Sequence, residues 1–92
     1  MTLRRVTANE VEVREVMNIY SLLDACEYVL GLNGDPHSSD SLALQIMEMR
    51  LWRASEADVR DALTKDIQKH GEASLFVGIA EDEFALRSWK AE

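Results

Sequence analysis

Leu75-Phe76-Val77-Gly78-Ile79-Ala80-Glu81-Asp82-Glu83-Phe84-Ala85-Leu86-Arg87-Ser88-Trp89 is the stretch that decides the fold. Upstream of it, apolar residues recur at helical spacing. Within it the period drops to two, the signature of half-buried strands. Leu75–Ile79 reads as a strand, Ala80–Glu83 as a turn, and Phe84–Trp89 as a returning strand. A two-stranded hairpin is stable only when packed on something. Phe76, Phe84, Leu86 and Trp89 are therefore expected to face a core that the preceding residues build.

Moving toward the N-terminus, Ser55-Glu56-Ala57-Asp58 opens a helix that ends at Gly71. Its buried face is expected to be Val59, Ala62, Leu63 and Ile67, with Asp66 at the edge. Arg60, Asp61, Thr64, Lys65 and Gln68 fall on the exposed face. Lys69 and His70 occupy the last turn, where cations suit the helix dipole. Before this helix comes another, introduced by the turn Asn33-Gly34-Asp35-Pro36 and capped by Ser38 or Ser39. Leu42, Ile46 and Met49, with Ala43 and Met47, form its apolar stripe, and Trp52 is read as a plug between the two helices. A first helix carries Ile19, Leu22, Leu23, Cys26, Val29 and Leu30 on one face. Ser21-Leu22-Leu23-Asp24 has the form of its capping box, and Gly31 and Gly34 mark its end. For residues 7–20 two readings stand. Thr7 to Glu10 could cap a helix with Val13, Val16, Met17 and Tyr20 on one face. Val11 and Val13, alternating with Glu10 and Glu12, also fit a short strand. The helix is preferred.

Three helices and a C-terminal hairpin on one core make a mainly α protein of winged helix-turn-helix architecture, with a two-stranded wing. The division is an N-terminal extension over 1–20 and a winged-helix domain over 21–90.

Five segments of that domain resemble one family. They are Ser21-Leu22-Leu23-Asp24-Ala25, Gly34-Asp35-Pro36-His37-Ser38, Leu51-Trp52, Asp66 to Val77, and Phe84-Ala85-Leu86-Arg87-Ser88-Trp89. In this order they are similar to the HARE-HTH winged-helix domains. That family includes the N-terminal domain of the bacterial RNA polymerase delta subunit and domains fused to restriction endonucleases and chromatin regulators. The resemblance covers roughly residues 20–89 and implies a non-enzymatic adaptor for DNA or the transcription machinery, with no cofactor. The chain departs from the family pattern in several places, and the loop between Leu51-Trp52 and the third helix is shorter than the family's. Arg50 stands where a glycine usually precedes the Leu-Trp pair, Ser55-Glu56 replaces a Thr-Pro start, and the wing tip is acidic rather than glycine-rich.

The bulk numbers narrow the function further. The 92 residues suit one domain. No apolar run is long enough to span a bilayer. A lone Cys26 and the absence of a signal-peptide pattern fit a cytoplasmic protein. Two histidines and one cysteine give no metal motif of ordinary spacing. The sequence also has no nucleophile elbow and no phosphate loop, so catalysis is not expected. Met1 and the family-like end near Trp89 suggest a small stand-alone protein.

Net charge is −7, and no segment forms a basic stripe. Duplex DNA affinity rests on Lys and Arg neutralising phosphates, so a nucleic-acid role depends on where the few cations sit. The third helix is the expected recognition helix. Arg60, Thr64, Lys65 and Gln68 are its candidate DNA contacts, weighed against a plain solvated helix face. Glu81, Asp82 and Glu83 at the wing tip would repel phosphate. They are either a soluble turn or a protein-facing acidic patch. Arg4, Arg5 and Arg14 could form a minor-groove arm, and Val13, Val16, Met17 and Tyr20 a homodimer face. Cys26 is expected to be a buried small hydrophobe. Two functions remain: a DNA-binding regulator, or an acidic module that contacts RNA polymerase or another nucleic-acid-processing protein.

Overall fold

The structure, a computed structural model, describes residues 19–89. The expectations for the N-terminal arm and for an extra helix fall on residues outside this range, apart from Tyr20, which is exposed; Ile19, read as part of the first helix, lies ahead of it but is buried. Over the described residues the protein is mainly helical, with a small antiparallel sheet.

Helix α1 spans Leu22–Asn33. Ser21 Oγ accepts from the Asp24 N–H at 3.1 Å, as a capping serine does. The return bond differs from a strict box: Asp24 Oδ2 accepts from the N–H of Tyr20, one residue ahead of the cap, at 2.9 Å. The helix runs through Gly31 and ends at Gly34, whose φ of 78° is the left-handed conformation that glycine adopts without Cβ strain.

Strand β1 (His37–Ser38) follows directly and leads into α2 (Ser39–Glu48). Ser38 is the cap, with its Oγ accepting from the Ser41 N–H. Leu42, Ala43 and Ile46 are buried on α2 as expected, whereas Met47 lies 49% exposed. Asn33 ties α1 to α2, since its Nδ2 donates to Val29 O and to Gln45 Oε1. After α2 the chain reverses at Arg50, whose φ is 57°. That is costly for a side-chain-bearing residue.

Helix α3 spans Glu56–His70. It opens with a complete capping box in which Ser55 and Asp58 exchange side-chain-to-backbone bonds. Val59 and Leu63 are fully buried, and Ala62, Asp66 and Ile67 are partly so. A single 3₁₀ turn over Gly71–Ala73 leads to the sheet strands β2 (Phe76–Ala80) and β3 (Glu83–Leu86).

The expected two-stranded hairpin is one part of a three-stranded sheet of order β1-β3-β2. His37 pairs with Phe84 and Ser38 with Glu83, so the short segment before α2 covers one edge of β3. A bulge between Gly78 and Ala80 bends β2 at its end. The returning strand stops at Leu86, and Arg87–Trp89 forms a 3₁₀ turn. Its direction is fixed by Arg87. The backbone N–H of Arg87 donates to Leu75 O at 2.7 Å. Its guanidinium donates to the carbonyls of Ser74, Gly71 and Phe76 at 2.8, 3.0 and 3.1 Å.

One core joins the helices and the sheet. It contains Cys26, Val29, Leu30, Leu42, Ile46, Leu51, Val59, Leu63, Phe76 and Phe84, with Trp52, Leu86 and Trp89 packed against it. Each buried Leu, Val or Phe contributes roughly 1.5–3 kcal/mol. Burial pushes the Cys26 thiol up to about 12, so it sits as a neutral apolar group.

Candidate functional site

The polar face of α3 and the β2–β3 turn, read separately in the sequence, are in contact. Arg60 leaves α3 toward the turn, with Nη2 2.8 Å from Glu56 Oε2 and Nε 3.4 Å from Asp82 Oδ1. The same Asp82 oxygen accepts from the hydroxyl of Ser39, at the start of α2, at 2.6 Å. Ser39 is completely buried, so its hydroxyl needs that acceptor. Asp82 itself has φ 55°, a conformation that Asp tolerates better than most residues. The turn is thus anchored to α2 and α3 by one carboxylate.

This anchoring changes how the candidate residues divide. Asp82 is partly buried and engaged within the fold, whereas Glu81 is fully on the surface and Glu83 half-buried. Lys65 is paired with Asp61 at 3.2 Å, and both side chains are largely in solvent. Thr64 and Gln68 are exposed with Arg60 and Lys65, so the four candidate contacts do share one face. Both cations on that face lie against carboxylates. An arriving phosphate would compete with Glu56 and Asp82 for Arg60, and with Asp61 for Lys65. These ion pairs are exposed and weak in themselves, yet they cancel the local positive field that duplex binding requires.

The sequence reading did not find Ser39 as a partner of the turn, and no local pattern signals it, because 43 positions separate the two residues. The Glu56–Arg60 and Asp61–Lys65 pairs were open to it, since both have the i, i+4 spacing that puts an acid one turn before a base.

A second polar cluster closes the other end of α3. The Ser74 hydroxyl donates to Asp66 Oδ2 at 2.6 Å and accepts from the Phe76 N–H, and His70 Nε2 lies 3.6 Å from Asp66. A pocket of about 280 Å³ opens beside it, lined in part by Asp24, Glu27, Asp66 and His70. Among the described residues, no group of three or more His, Cys, Asp or Glu is placed to hold a metal ion, and no helix is long and apolar enough to cross a membrane.

Compared with models of known protein families, with curated proteins and with solved structures, the chain has no match.

Proposed function

We propose that this chain is a non-enzymatic winged-helix regulatory module. In that reading α1–α3 are the helical core, α2 and α3 the helix-turn-helix, and β2–β3 the wing. Its setting is transcription or another DNA transaction, as the HARE-HTH resemblance implies. The left-handed backbone at Arg50 supports the resemblance, because it falls where the family carries glycine. The module acts by contacting a protein with a basic surface, such as RNA polymerase or another nucleic-acid-processing partner.

The observation that carries this choice is the pairing of Arg60 and Lys65 with Glu56, Asp82 and Asp61 on the face that would otherwise enter a major groove. Between residues 19 and 89 there are thirteen Asp and Glu against six Lys and Arg. The surface offered to a partner is acidic, with Glu81 and Glu83 at the wing. Such a surface steers toward basic protein and away from phosphate.

The second reading is duplex DNA binding through Arg60, Thr64, Lys65 and Gln68. Their common exposure on α3 favours it. One experiment separates the two. Labelled random duplex DNA and purified RNA polymerase are each titrated with the protein at about 25–200 mM salt. The protein-contact reading expects polymerase binding that weakens when Glu81 and Glu83 are changed to Ser, and no binding to DNA. Salt-steep DNA binding that is lost in the Arg60→Ala, Lys65→Ala double variant overturns it in favour of the second reading.

A further inference from the structure

The outer edge of β2 is a second surface that the wing acids do not account for. β2 ends the sheet, and residues 75–80 contain neither a charge nor a proline, so its edge is blunted only by the bulge between Gly78 and Ala80 and by the Arg87 guanidinium on the Phe76 carbonyl. Because the Arg87 N–H donates to Leu75 O, Leu75 and Val77 turn their amides toward β3, and Phe76 and Gly78 turn theirs outward. Phe76 is closed off within the chain. Its N–H donates to Ser74 Oγ, and its carbonyl accepts from Arg87. Gly78 is the next outward residue. It is exposed, and a Cβ placed there would meet nothing within 4 Å. The exposure of Gly78 leaves its outward amide and carbonyl accessible to an incoming backbone.

The two faces beside this edge differ in chemistry. On the outer face, Val77 and Ile79 line a mostly apolar groove of about 430 Å³ together with Pro36, Leu86 and Trp89, with Arg87 at its margin. Ile79 is 51% exposed there. On the helix side, Phe76 at the start of the strand and Leu75 just before it line the pocket that holds Asp24, Glu27, Asp66 and His70. Successive side chains of an added strand point to opposite faces. One set would meet the apolar groove and the other the carboxylates. A second copy of this chain fits poorly, because each copy carries −7.

We propose that the free edge of β2 takes an extended segment of a partner protein as a fourth strand, a segment in which apolar and basic residues alternate. This rests on the protein-contact reading above and names the partner's chemistry. Backbone bonds at Gly78 supply attachment, and the two unlike faces supply selectivity.

The test is fluorescence anisotropy with the full-length chain and two labelled synthetic peptides of about ten residues. One alternates lysine with valine; the other has the same composition with its lysines in one block. The alternating peptide should bind roughly ten-fold or more tightly than the block peptide. Gly78→Pro should remove that preference. So should Ile79→Lys, an exposed substitution whose folding is checked by circular dichroism. Glu27→Gln should weaken the alternating peptide alone. Equal, salt-steep binding of both peptides would overturn strand addition while leaving the acidic-contact reading standing. Failure of both peptides to bind at low salt would overturn the two together. A concentration-dependent dimer abolished by Ile79→Lys would assign the edge to a second copy and also overturn the proposal.

Discussion

Truncating the Asp82 side chain should destabilise the domain far more than truncating either neighbouring wing acid. In Asp82→Ala, the buried Ser39 hydroxyl loses its acceptor at 2.6 Å, which costs about 1–3 kcal/mol. An alanine held at φ near 55° adds roughly 1 kcal/mol. The half-exposed contact with Arg60 at 3.4 Å contributes only a few tenths. The sum is about 2–4 kcal/mol, which for a domain of this size lowers the thermal midpoint by roughly 10–25 °C. Asp82→Asn keeps an acceptor oxygen and tolerates the same backbone, so its cost stays within about 1 kcal/mol. Urea unfolding followed by circular dichroism measures both, and a cycle with Ser39→Ala isolates the pair at about 1–2 kcal/mol of coupling. The reasoning fails if Asp82→Asn is as damaging as Asp82→Ala. It fails equally if the Ser39 and Asp82 effects add to within about 0.5 kcal/mol.

Two further outcomes follow from the core and from Arg87. Burial holds the Cys26 proton in the folded state up to about 12, against 9.0 for a free thiol. The folded state therefore binds more protons than the unfolded state between those values. Stability is intact below pH 9 and falls by up to about 1.4 kcal/mol per pH unit above it. Denaturant midpoints measured across that window should lose this slope in Cys26→Ala, and a thiol reagent at neutral pH should label Cys26 only after unfolding. Arg87→Lys keeps the charge but loses the planar fork that reaches the Gly71, Ser74 and Phe76 carbonyls. It should cost about 1–3 kcal/mol, and an unchanged thermal midpoint would show that solvent satisfies those carbonyls equally well.

The helices were legible because each signal was local. Ser21, Ser38 and Ser55 cap them, Gly34 and Gly71 end them, and the period-3.6 residues Cys26, Val29, Ile46, Val59 and Leu63 are the ones buried. The third strand was not legible. His37-Ser38 is too short to carry a period, and it becomes a strand only because β3 lies alongside it. The stop at Leu86 was missed for a related reason. Phe84, Leu86 and Trp89 are apolar enough to read as one strand, but Arg87 turns the chain by bonding three carbonyls brought together from the end of α3 and the start of β2. The candidate α3 face was read correctly as exposed. What sequence spacing could not show was that Arg60 reaches Asp82, which moves that acid from an outward patch into a structural link.

That link bears on how an acidic domain of this architecture can act. Arg87 and Arg60 hold the hairpin from opposite ends, one through backbone carbonyls and the other through Asp82. The Arg87 guanidinium is not free to neutralise phosphate unless its carbonyl bonds are given up, whereas half-exposed Arg60 is held only weakly. Lys65 could be released from Asp61 at little cost, since that pair is largely in solvent, and Arg53 and Lys69 are exposed as well, but a few scattered cations give only weak, salt-sensitive attachment. The acids are under no such constraint. Glu27, Glu72 and Glu81 stand exposed around the ends of β2, where attraction for a basic partner draws on no bond that the fold needs. Charge and hydrogen bonding thus point the same way as the proposed protein contact: Arg87 is engaged within the fold, while these carboxylates are exposed.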